Sequence, residues 1–392
     1  MNVYGKTALF ILLTIEVFSV LPPSRSRGSH PNYVRGVIHV HSTFSDGGGT
    51  PTEIVAEADE AGLDFVVLTD HNSTAAREFE GRSGNTDLFV ESESSTLAGH
   101  ALSFSSLSGA RNTPDSELAA LAYQHFLGSE GSPNGFFIAL AHPSNIKNPW
   151  SRLDRFSDGY EVVNFDSSWQ RSLSDSVLNF LMTLSLYPIN NYLSALKFFD
   201  VYEKDLVAWD AMNSTPGNHF GILAHDTHAK LKLKSDWWWK WPDYTTTFKL
   251  ASNVVFLKGL PPESFADRKQ AIYDSLRNGR LAIAFDGILP FQGNSWTAQC
   301  GESSAGSGEE IRFQNGCEFK VELPNGPFKY VLKLKKNGEL VHTVNTREPV
   351  AMLPLDGPGI YRLEVWVKAH TLFRLLLRRE VPYVLYNPIV LS

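Results

Sequence analysis

Histidines occur at the ends of four predicted strands. The first strand ends in Ile38-His39-Val40-His41 and the second in Thr69-Asp70-His71-Asn72. His142 ends a later strand, and Asp226-Thr227-His228 ends another. Successive side chains of a strand point to opposite faces, so His39 and His41 are predicted to share one face. Each histidine taken alone is typical of a structural or solvated residue, but together with carboxylates they predict a site for Zn, Mn or Fe.

The first two of these strands flank a predicted helix. Gly36 to Val40 is a short apolar strand, and Thr50-Pro51-Thr52-Glu53 has the form of a capping box at the start of a helix. Apolar residues at helical spacing follow it, and Gly62 is suited to the end of the helix. Phe65 to Thr69 is a continuous apolar run, as in a strand buried on both faces of a parallel sheet. The pattern predicts one βαβ unit.

Strands and helices continue to alternate as far as about residue 285. Further strands are predicted at 88–90, 136–141, 160–165, 220–224, 254–257 and 281–284, and helices at 116–126 and 263–278. Residues 170–212 are predicted to form a helical insertion. Seven or eight strands with helices between them predict an α/β fold, a distorted (β/α)7-type TIM-like barrel over residues 31–290. The carboxyl ends of barrel strands meet at one rim, which would bring the histidines together.

Residues 291–392 have a different pattern. Apolar residues alternate with lysines from 328 to 335, and Asn337-Gly338 then supplies a hairpin turn. These features predict a small antiparallel β-sandwich domain without a site of its own. The tryptophans from Trp237 to Trp241 form a cluster in a predicted loop. They could wall a pocket, anchor at a lipid interface or pack under the insertion, and packing is the default for so large a side chain.

Residues 1–30 are predicted to be a signal peptide or an N-terminal anchor. An apolar run from Ala8 to Leu21 follows Lys6, and it is short for a membrane-spanning helix. An amphipathic helix is the alternative interpretation. We therefore expect an exported protein, periplasmic, secreted or N-terminally anchored, with membrane contact only through this segment. The two cysteines, Cys300 and Cys317, are predicted to form a disulfide in such a compartment, with two buried thiols as the alternative.

Composition limits the classes of partner. The 35 Lys and Arg residues against 42 Asp and Glu residues give a net charge of −7. A protein that grips nucleic acid normally carries a basic surface, so no nucleic-acid partner is expected. Two cysteines are too few for a Cys-rich zinc module. The twelve histidines are sufficient for a metal site of another kind. No feature of the sequence indicates an oligomeric state.

The motifs resemble those of the PHP superfamily (polymerase and histidinol phosphatase domains) of metal-dependent hydrolases. The first motif reads His39-Val-His-Ser-Thr-Phe-Ser-Asp-Gly47, and the second runs from Gly62 to Asn72 and ends in Thr-Asp-His-Asn. His142-Pro143 and Asp226-Thr-His228 follow in the same order as in the family. The resemblance covers most of residues 34–290. Glu161-Val-Val-Asn164 and residues 275–280 resemble the branch of the family that carries a C-terminal β domain.

The resemblance implies two or three divalent metal ions (Zn, Mn, Fe or Mg) and a set of ligands. Glu93 stands at the family's spacing from Gly99-His100 and is preferred over Glu91. Asp46 could be a ligand or only order its loop, and His225 is not counted. Asp70 and His71 are the predicted catalytic residues, with Asp70 orienting His71 or accepting a proton. The complete predicted ligand set is His39, His41, Asp46, His71, Glu93, His100, His142, Asp226 and His228.

Three functional hypotheses follow. The first is a metal-dependent phosphoesterase that uses a metal-activated hydroxide in a multinuclear site and acts on a small, anionic ester. The second is hydrolysis of a carboxyl or carbamate ester at the same site. The third is a metal-bearing binding protein without turnover. Lys147, Arg152 and Arg155 follow the His142 strand and could reach an anionic group, although a solvated face is the more ordinary role for such residues.

Overall fold

The structure is a computed structural model. It describes residues 32–105, 113–128, 135–153, 157–214, 219–234, 237–287, 289–326, 328–368 and 380–392. The predicted signal peptide or anchor, His30, Arg155 and His370 lie outside the described residues. Among the helices that are described, none is long and apolar enough to cross a membrane.

The strands and helices of the barrel region are as follows. The strands are β1 (Tyr33–Val40), β2 (Phe65–His71), β3 (Gly81–Ser83), β4 (Thr86–Ser95), β5 (His100–Ser105), β6 (Phe136–Leu140), β7 (Gly159–Asn164), β8 (Phe220–Thr227), β9 (Leu231–Lys234), β10 (Trp237–Trp239), β11 (Ser252–Phe256) and β12 (Leu281–Ala284). The helices are α1 (Pro51–Glu60), α2 (Asp115–Phe126), α3 (Phe165–Asp175), α4 (Val177–Leu184), α5 (Asn191–Phe198), α6 (Glu203–Asn213), α7 (Tyr244–Phe248) and α8 (Phe265–Arg277), with a 3-10 turn at Ala75–Phe79. The predicted helical insertion corresponds to α3 to α6.

Seven strands close into a barrel of mixed direction. The ring runs β1-β2-β4-β5-β6-β7-β8, and β8 pairs with β1 to close it. All neighbours are parallel except β5, which is antiparallel to both β4 and β6. The predicted distorted (β/α)7-type TIM-like barrel is therefore not confirmed, because the closed barrel contains an antiparallel strand. The physical reason is the tight turn at residues 96–99, because so short a connection can join only antiparallel strands.

Helices are also fewer than a repeating β/α unit requires. Helix α1 connects β1 to β2, and its predicted capping box is confirmed, since Thr50 and Glu53 cap each other reciprocally. No helix occurs in the described part of the β6–β7 connection, residues 141–153 and 157–158. Helix α8 packs Tyr273 against Phe89, Phe104 and Phe137 in the barrel interior. Burial of these rings makes that end of the barrel a packed core.

The C-terminal strands continue the barrel sheet. They are β13 (Ser295–Cys300), β14 (Ser303–Ala305), β15 (Glu310–Ile311), β16 (Glu318–Glu322), β17 (Lys329–Lys336), β18 (Glu339–Thr346), β19 (Val350–Pro354), β20 (Gly359–Lys368), β21 (Glu380–Tyr386) and β22 (Ile389–Leu391). Strand β11 pairs with β1, β12 with β11, and β21 with β12, so hydrogen bonding is unbroken between the two regions.

A second sheet packs on this extension to complete a sandwich. It has the order β14-β13-β16-β19, and Trp296 and Phe319 bring it against Tyr361 and Tyr386. The hairpin predicted at Asn337-Gly338 is confirmed, with both residues at positive φ between β17 and β18. One strand pair of the region, β15 with β22, is parallel. A disulfide joins Cys300 to Cys317.

Candidate metal centre

A bulge in β1 directs His39 into the barrel. The pairing register of β1 shifts between Ile38 and Val40 against both neighbours, and His39 lies in the left-handed region at φ 67°. Ile38 packs in the barrel interior, whereas Val40 packs outside with Ile54 of α1. Strict alternation would therefore have turned His39 outward. His39 and His41 share a face in either case, and the extra residue in the strand turns that face inward.

Two more of the predicted ligands have the same unusual backbone. His142 lies at φ 32° and Asp226 at φ 49°. Residues other than glycine rarely adopt positive φ, and each such position costs on the order of 1–3 kcal/mol. The surrounding strands maintain these conformations at the carboxyl ends of β1, β6 and β8. Backbone strain is thus concentrated where the polar side chains converge.

Four buried donor atoms surround one point. Nε2 of His39 and Nε2 of His41 are 3.1 Å apart. Oε2 of Glu93 lies 3.2 and 3.3 Å from these two nitrogens, and Oδ1 of Asp226 lies 3.4 and 3.3 Å from them. Donors bound to one ion at about 2.1 Å lie roughly 3 Å apart when they are neighbours. The spacing is that of ligands around a single divalent metal ion.

Glu93 extends this group towards three further histidines. Its Oε1 lies 2.8 Å from Nδ1 of His100 and 2.8 Å from Nε2 of His142, and its Oε2 lies 3.0 Å from Nδ1 of His71. Glu93 is completely buried, yet its Oε2 has no hydrogen bond of acceptable geometry, and neither has the buried Nδ1 of His142. Buried polar atoms normally have partners, and a cation held among these histidines would supply one for Oε2 of Glu93. The two oxygens of Glu93 face different histidines, so the carboxylate lies between two groups of ligand candidates.

Asp46 belongs to a second, more open group. Its carboxylate lies 3.3 Å from Nε2 of His228, 3.7 Å from Nδ1 of His41 and 3.8 Å from Nε2 of His71. These four residues have donor atoms close enough to hold an ion. A neutral imidazole has only one nitrogen able to bind a metal. His41 can therefore serve either this group or the buried one, but not both.

The electrostatics of the site favour cations. Burial alone lowers the pKa of His39, but the carboxylates of Asp226, Glu161 and Glu93 outweigh burial and raise it well above the ordinary value. For His142, the carboxylates of Glu93 and Asp226 likewise outweigh burial and raise the pKa to about 9. For His228, those of Asp46 and Asp226 raise the pKa to about 9 as well. Burial raises the pKa of Glu93, but the surrounding histidines, His39 first, lower it to well below normal.

Asp70 is placed differently from the role predicted for it. Its carboxylate accepts hydrogen bonds from the backbone N–H and the hydroxyl of Ser42, at 2.8 and 2.7 Å, and from the hydroxyl of Ser45 at 2.6 Å. These contacts order the loop that carries Asp46. They connect Asp70 to the β1–α1 loop and not to the imidazole of His71, which instead faces Glu93 and Asp46.

Glu91 and Glu93 point to the same side of β4 but have different environments. Glu91 accepts a hydrogen bond from the hydroxyl of Tyr273 at 2.8 Å and pairs with Lys269 at 2.7 Å. Glu91 therefore forms a buried ion pair with α8, away from the ligand groups. His225, which was not predicted as a ligand, is buried with its ring edge towards Phe248.

Glu161 is the site residue that the sequence prediction left without a role. It is completely buried in β7, and its Oε1 lies 2.6 Å from Nδ1 of His39. Its Oε2 accepts hydrogen bonds from the backbone N–H of His142 and from the Asn164 amide, which also donates to Asp226. The sequence signal for its role was a single charged residue within the apolar run of a buried strand. A charged residue in such a position requires a partner.

The ligand candidates other than His39 and His41 line a cavity of about 310 Å³. Trp169 and Trp241 line one part of it, and Asn145, Lys147 and Lys230 line another. Trp241 is buried against Trp169 and Phe180, so this member of the tryptophan cluster packs as expected while also facing the cavity. A larger cavity of about 450 Å³ lies beside α3 and α5, and none of the ligand candidates lines it.

Comparisons with known proteins give limited information. No family model matches the chain, and no curated protein matches it. Among solved structures, it is similar to a two-domain protein from Bacteroides vulgatus ATCC 8482 that contains a predicted PHP-like metal-dependent phosphoesterase. The two are 16% identical, with a TM-score of 0.40, and the match covers 87% of this chain and 95% of the other. The residues of the site themselves therefore carry the functional argument.

Proposed function

We propose that this protein is a metal-dependent hydrolase acting on phosphoesters. The observation that carries the proposal is that the buried carboxylates of Glu93 and Asp226 each lie within 3.4 Å of both His39 and His41. Buried charged groups are costly unless they are paired with one another or coordinate a metal. Ligands of this type suit Zn, Mn or Fe.

Different side chains would hold different metal ions. His39, His41 and Asp226 hold the buried position, and Glu93 contributes an oxygen to it. The other oxygen of Glu93 faces His100 and His142, while Asp46, His71 and His228 form the open group. Bound divalent ions supply a water of lowered pKa and neutralise charge on phosphate oxygens. A site with shared carboxylates in this arrangement supports two or three ions.

The cavity supplies contacts for an anionic substrate. Lys147 and Lys230 line it, and within the described residues neither ammonium group has an ion-pair partner. Asp166 lines the same cavity, and its carboxylate accepts a hydrogen bond from Nε1 of Trp169. Burial, followed by the charge of Asp226, raises the pKa of Asp166 to about 6.

We also propose that the protein is exported. The disulfide between Cys300 and Cys317 supports this location, because disulfides persist in oxidising compartments. Determination of the N-terminal residue of the protein secreted by a cell that expresses the complete chain tests the proposal. Recovery of the uncleaved chain from the reducing cytosol alone would contradict it.

The decisive experiment combines metal analysis with a substrate panel. Protein loaded separately with Zn²⁺, Mn²⁺, Fe²⁺ or Mg²⁺ is assayed on chromogenic phosphomonoesters, phosphodiesters and carboxyl esters. We expect at least two ions per chain and turnover of a phosphoester, both lost in His39→Ala. His342→Ala is the matched control, since His342 pairs with Asp356 on the sandwich. Turnover of carboxyl esters but of no phosphoester would favour the carboxyl ester hydrolase over the phosphoesterase. Metal-loaded protein that turns over none of the esters would overturn the proposal.

A further inference from the structure

Exposed apolar side chains surround the opening of the metal site. The barrel strands other than β5 are parallel, so their carboxyl ends and the segments that follow them lie at one end of the barrel. A large apolar side chain is exposed in each of these segments: Phe44 after β1, Phe79 after β2, Leu97 after β4, Ile146 after β6, Leu178 after β7 and Trp239 after β8. We call these six residues and the exposed face of α4 the apolar rim.

Helix α4 contributes most of this surface. Val177, Leu178, Leu181 and Met182 are all exposed, and Leu178 is 70% exposed. The helix contains no charged residue. A surface helix normally turns polar side chains to water, so two turns of exposed apolar residues indicate contact with something other than water.

This face lies directly behind the wall of the metal cavity. Phe180, on the buried side of α4, packs against Trp169 and Trp241, with ring centroids 6.2 and 6.4 Å apart. Both tryptophans line the cavity that contains the metal ligands. Whatever covers α4 would therefore be adjacent to the substrate opening.

Cationic and aromatic residues accompany the apolar ones. Lys147 and Lys230 line the cavity, although the whole chain has a charge of −7. The ammonium group of Lys230 lies 5.7 Å from the ring of Trp238, which is exposed, while Lys240 pairs with Glu57. Lys147 follows Ile146 directly and is exposed. Lysines beside tryptophans and aliphatic residues are typical of surfaces that bind anionic lipid bilayers.

The shape of the rim favours a lipid surface over a protein partner. Apart from the residues of α4, its members come from separate connections between strands, and Leu97, at a turn, is 87% exposed. A docking peptide or helix needs a concave apolar groove, whereas separate projecting side chains insert into a fluid interface. Trp238 and Trp239 are both exposed, and tryptophan is enriched at the level of lipid headgroups.

We propose that the apolar rim docks this protein on an anionic lipid bilayer and that its substrate is a phosphoester carried by a lipid headgroup. The substrate part rests on the proposed function. In the reaction, the oxygen of water bonds to phosphorus while the ester P–O bond breaks, and the departing oxygen takes up a proton. The bilayer would present the headgroup to the cavity between Lys147 and Lys230.

Vesicle binding tests the docking step. The full chain is mixed with vesicles of phosphatidylcholine and phosphatidylglycerol in equal amounts, or of phosphatidylcholine alone, and the bound fraction is measured by flotation. Leu178→Asp and Met182→Asp are each expected to weaken binding to the anionic vesicles about tenfold, the effect of leaving one apolar side chain unburied. Leu260→Asp is the matched control, because Leu260 is 73% exposed but lies outside the rim.

Each outcome separates docking from catalysis. Weaker binding by both rim variants, with Leu260→Asp like the wild type and circular dichroism unchanged, supports the proposal. Equal binding by rim and control variants overturns it, and so does a dimer of the wild type that Leu178→Asp dissociates. If the wild-type protein hydrolyses water-soluble phosphoesters but binds neither kind of vesicle, the proposed function stands and only the docking is overturned.

Discussion

Glu161 and His39 form a buried pair in which Oε1 of Glu161 lies 2.6 Å from Nδ1 of His39. The proton on Nδ1 is donated to this carboxylate, which leaves Nε2 free, and Nε2 is the nitrogen that faces His41, Glu93 and Asp226. The pair thus sets both the tautomer and the orientation of a metal ligand. Since His39 lies in a bulge at positive φ, this contact also fixes a residue whose backbone is strained.

Glu161→Gln should weaken metal binding without unfolding the protein. The amide keeps the shape of the side chain but removes the charge, and its NH2 group would meet the N–H donors of His142 and Asn164. Loss of such a partner typically lowers metal affinity about 10- to 100-fold. Titration against a competing chelator measures the change. Glu339→Gln, on an exposed strand, is the control, and equal affinities for the two variants would contradict the pairing.

Glu93→Gln and Asp46→Asn should differ in how much metal they retain. Glu93 faces five histidines and has an oxygen in each part of the site, whereas Asp46 is 45% exposed and belongs to the open group. We expect the Glu93 variant to lose metal from the whole site and the Asp46 variant to retain the buried ion. Elemental analysis after dialysis gives metal per chain. Equal losses in both variants would show that Glu93 is not shared between ions.

The sequence predicted those elements whose signals are local. The capping box of α1 and the Asn337-Gly338 hairpin were predicted and are confirmed, and the apolar strand predicted over residues 65–69 is the strand Phe65–His71 of the structure. Strand β5 was missed because His100–Ser105 mixes small polar and apolar residues, and its direction depends on a turn. The predicted (β/α)7-type barrel therefore did not include this antiparallel strand. The pairing of β12 with β21, which joins the two regions, involves residues about 100 apart and has no local signal.

The ligand candidates were more predictable than their arrangement. Histidines at strand ends can be recognised as ligand candidates from their residue type and spacing, and a parallel sheet brings such strand ends together. Spacing does not reveal the bulge that turns His39 inward, because a bulge is set by pairing with two neighbouring strands. Asp70 shows the converse, since the type of residue suggested proton transfer while its hydrogen bonds are to Ser42 and Ser45.

Removal of the disulfide should destabilise the sandwich and leave the metal site intact. Cys300 and Cys317 are 17 residues apart, and closing a loop of that size is worth about 3 kcal/mol in the chain-entropy model. Neither residue contacts a ligand candidate in the described structure. A double Cys300→Ser, Cys317→Ser variant should therefore unfold at lower urea concentration but bind the same amount of metal. A loss of metal would contradict this expectation and show that the metal site depends on the disulfide-bonded sandwich.

The stability of the metal-free protein should fall as the solution becomes more alkaline. The carboxylates of the site overcome the effect of burial and raise the pKa of His142 and His228 from 6.5 to about 9. Between those values the folded protein holds more protons than the unfolded chain, so the free energy of unfolding decreases as the pH rises. The stabilisation is complete below pH 6.5 and is lost as the pH passes about 9.

Metal reverses this dependence, because ligands must lose their protons to bind it. Urea unfolding of metal-free and metal-loaded protein at pH 6.5 and at pH 9 measures both effects. We expect the metal-free protein to be less stable at the higher pH, and the gain in stability on adding metal to be larger there. His228→Gln should reduce the change with pH in the metal-free protein. A metal-free protein that becomes more stable at high pH would mean that its histidines are neutral and that the carboxylates do not hold protons on them.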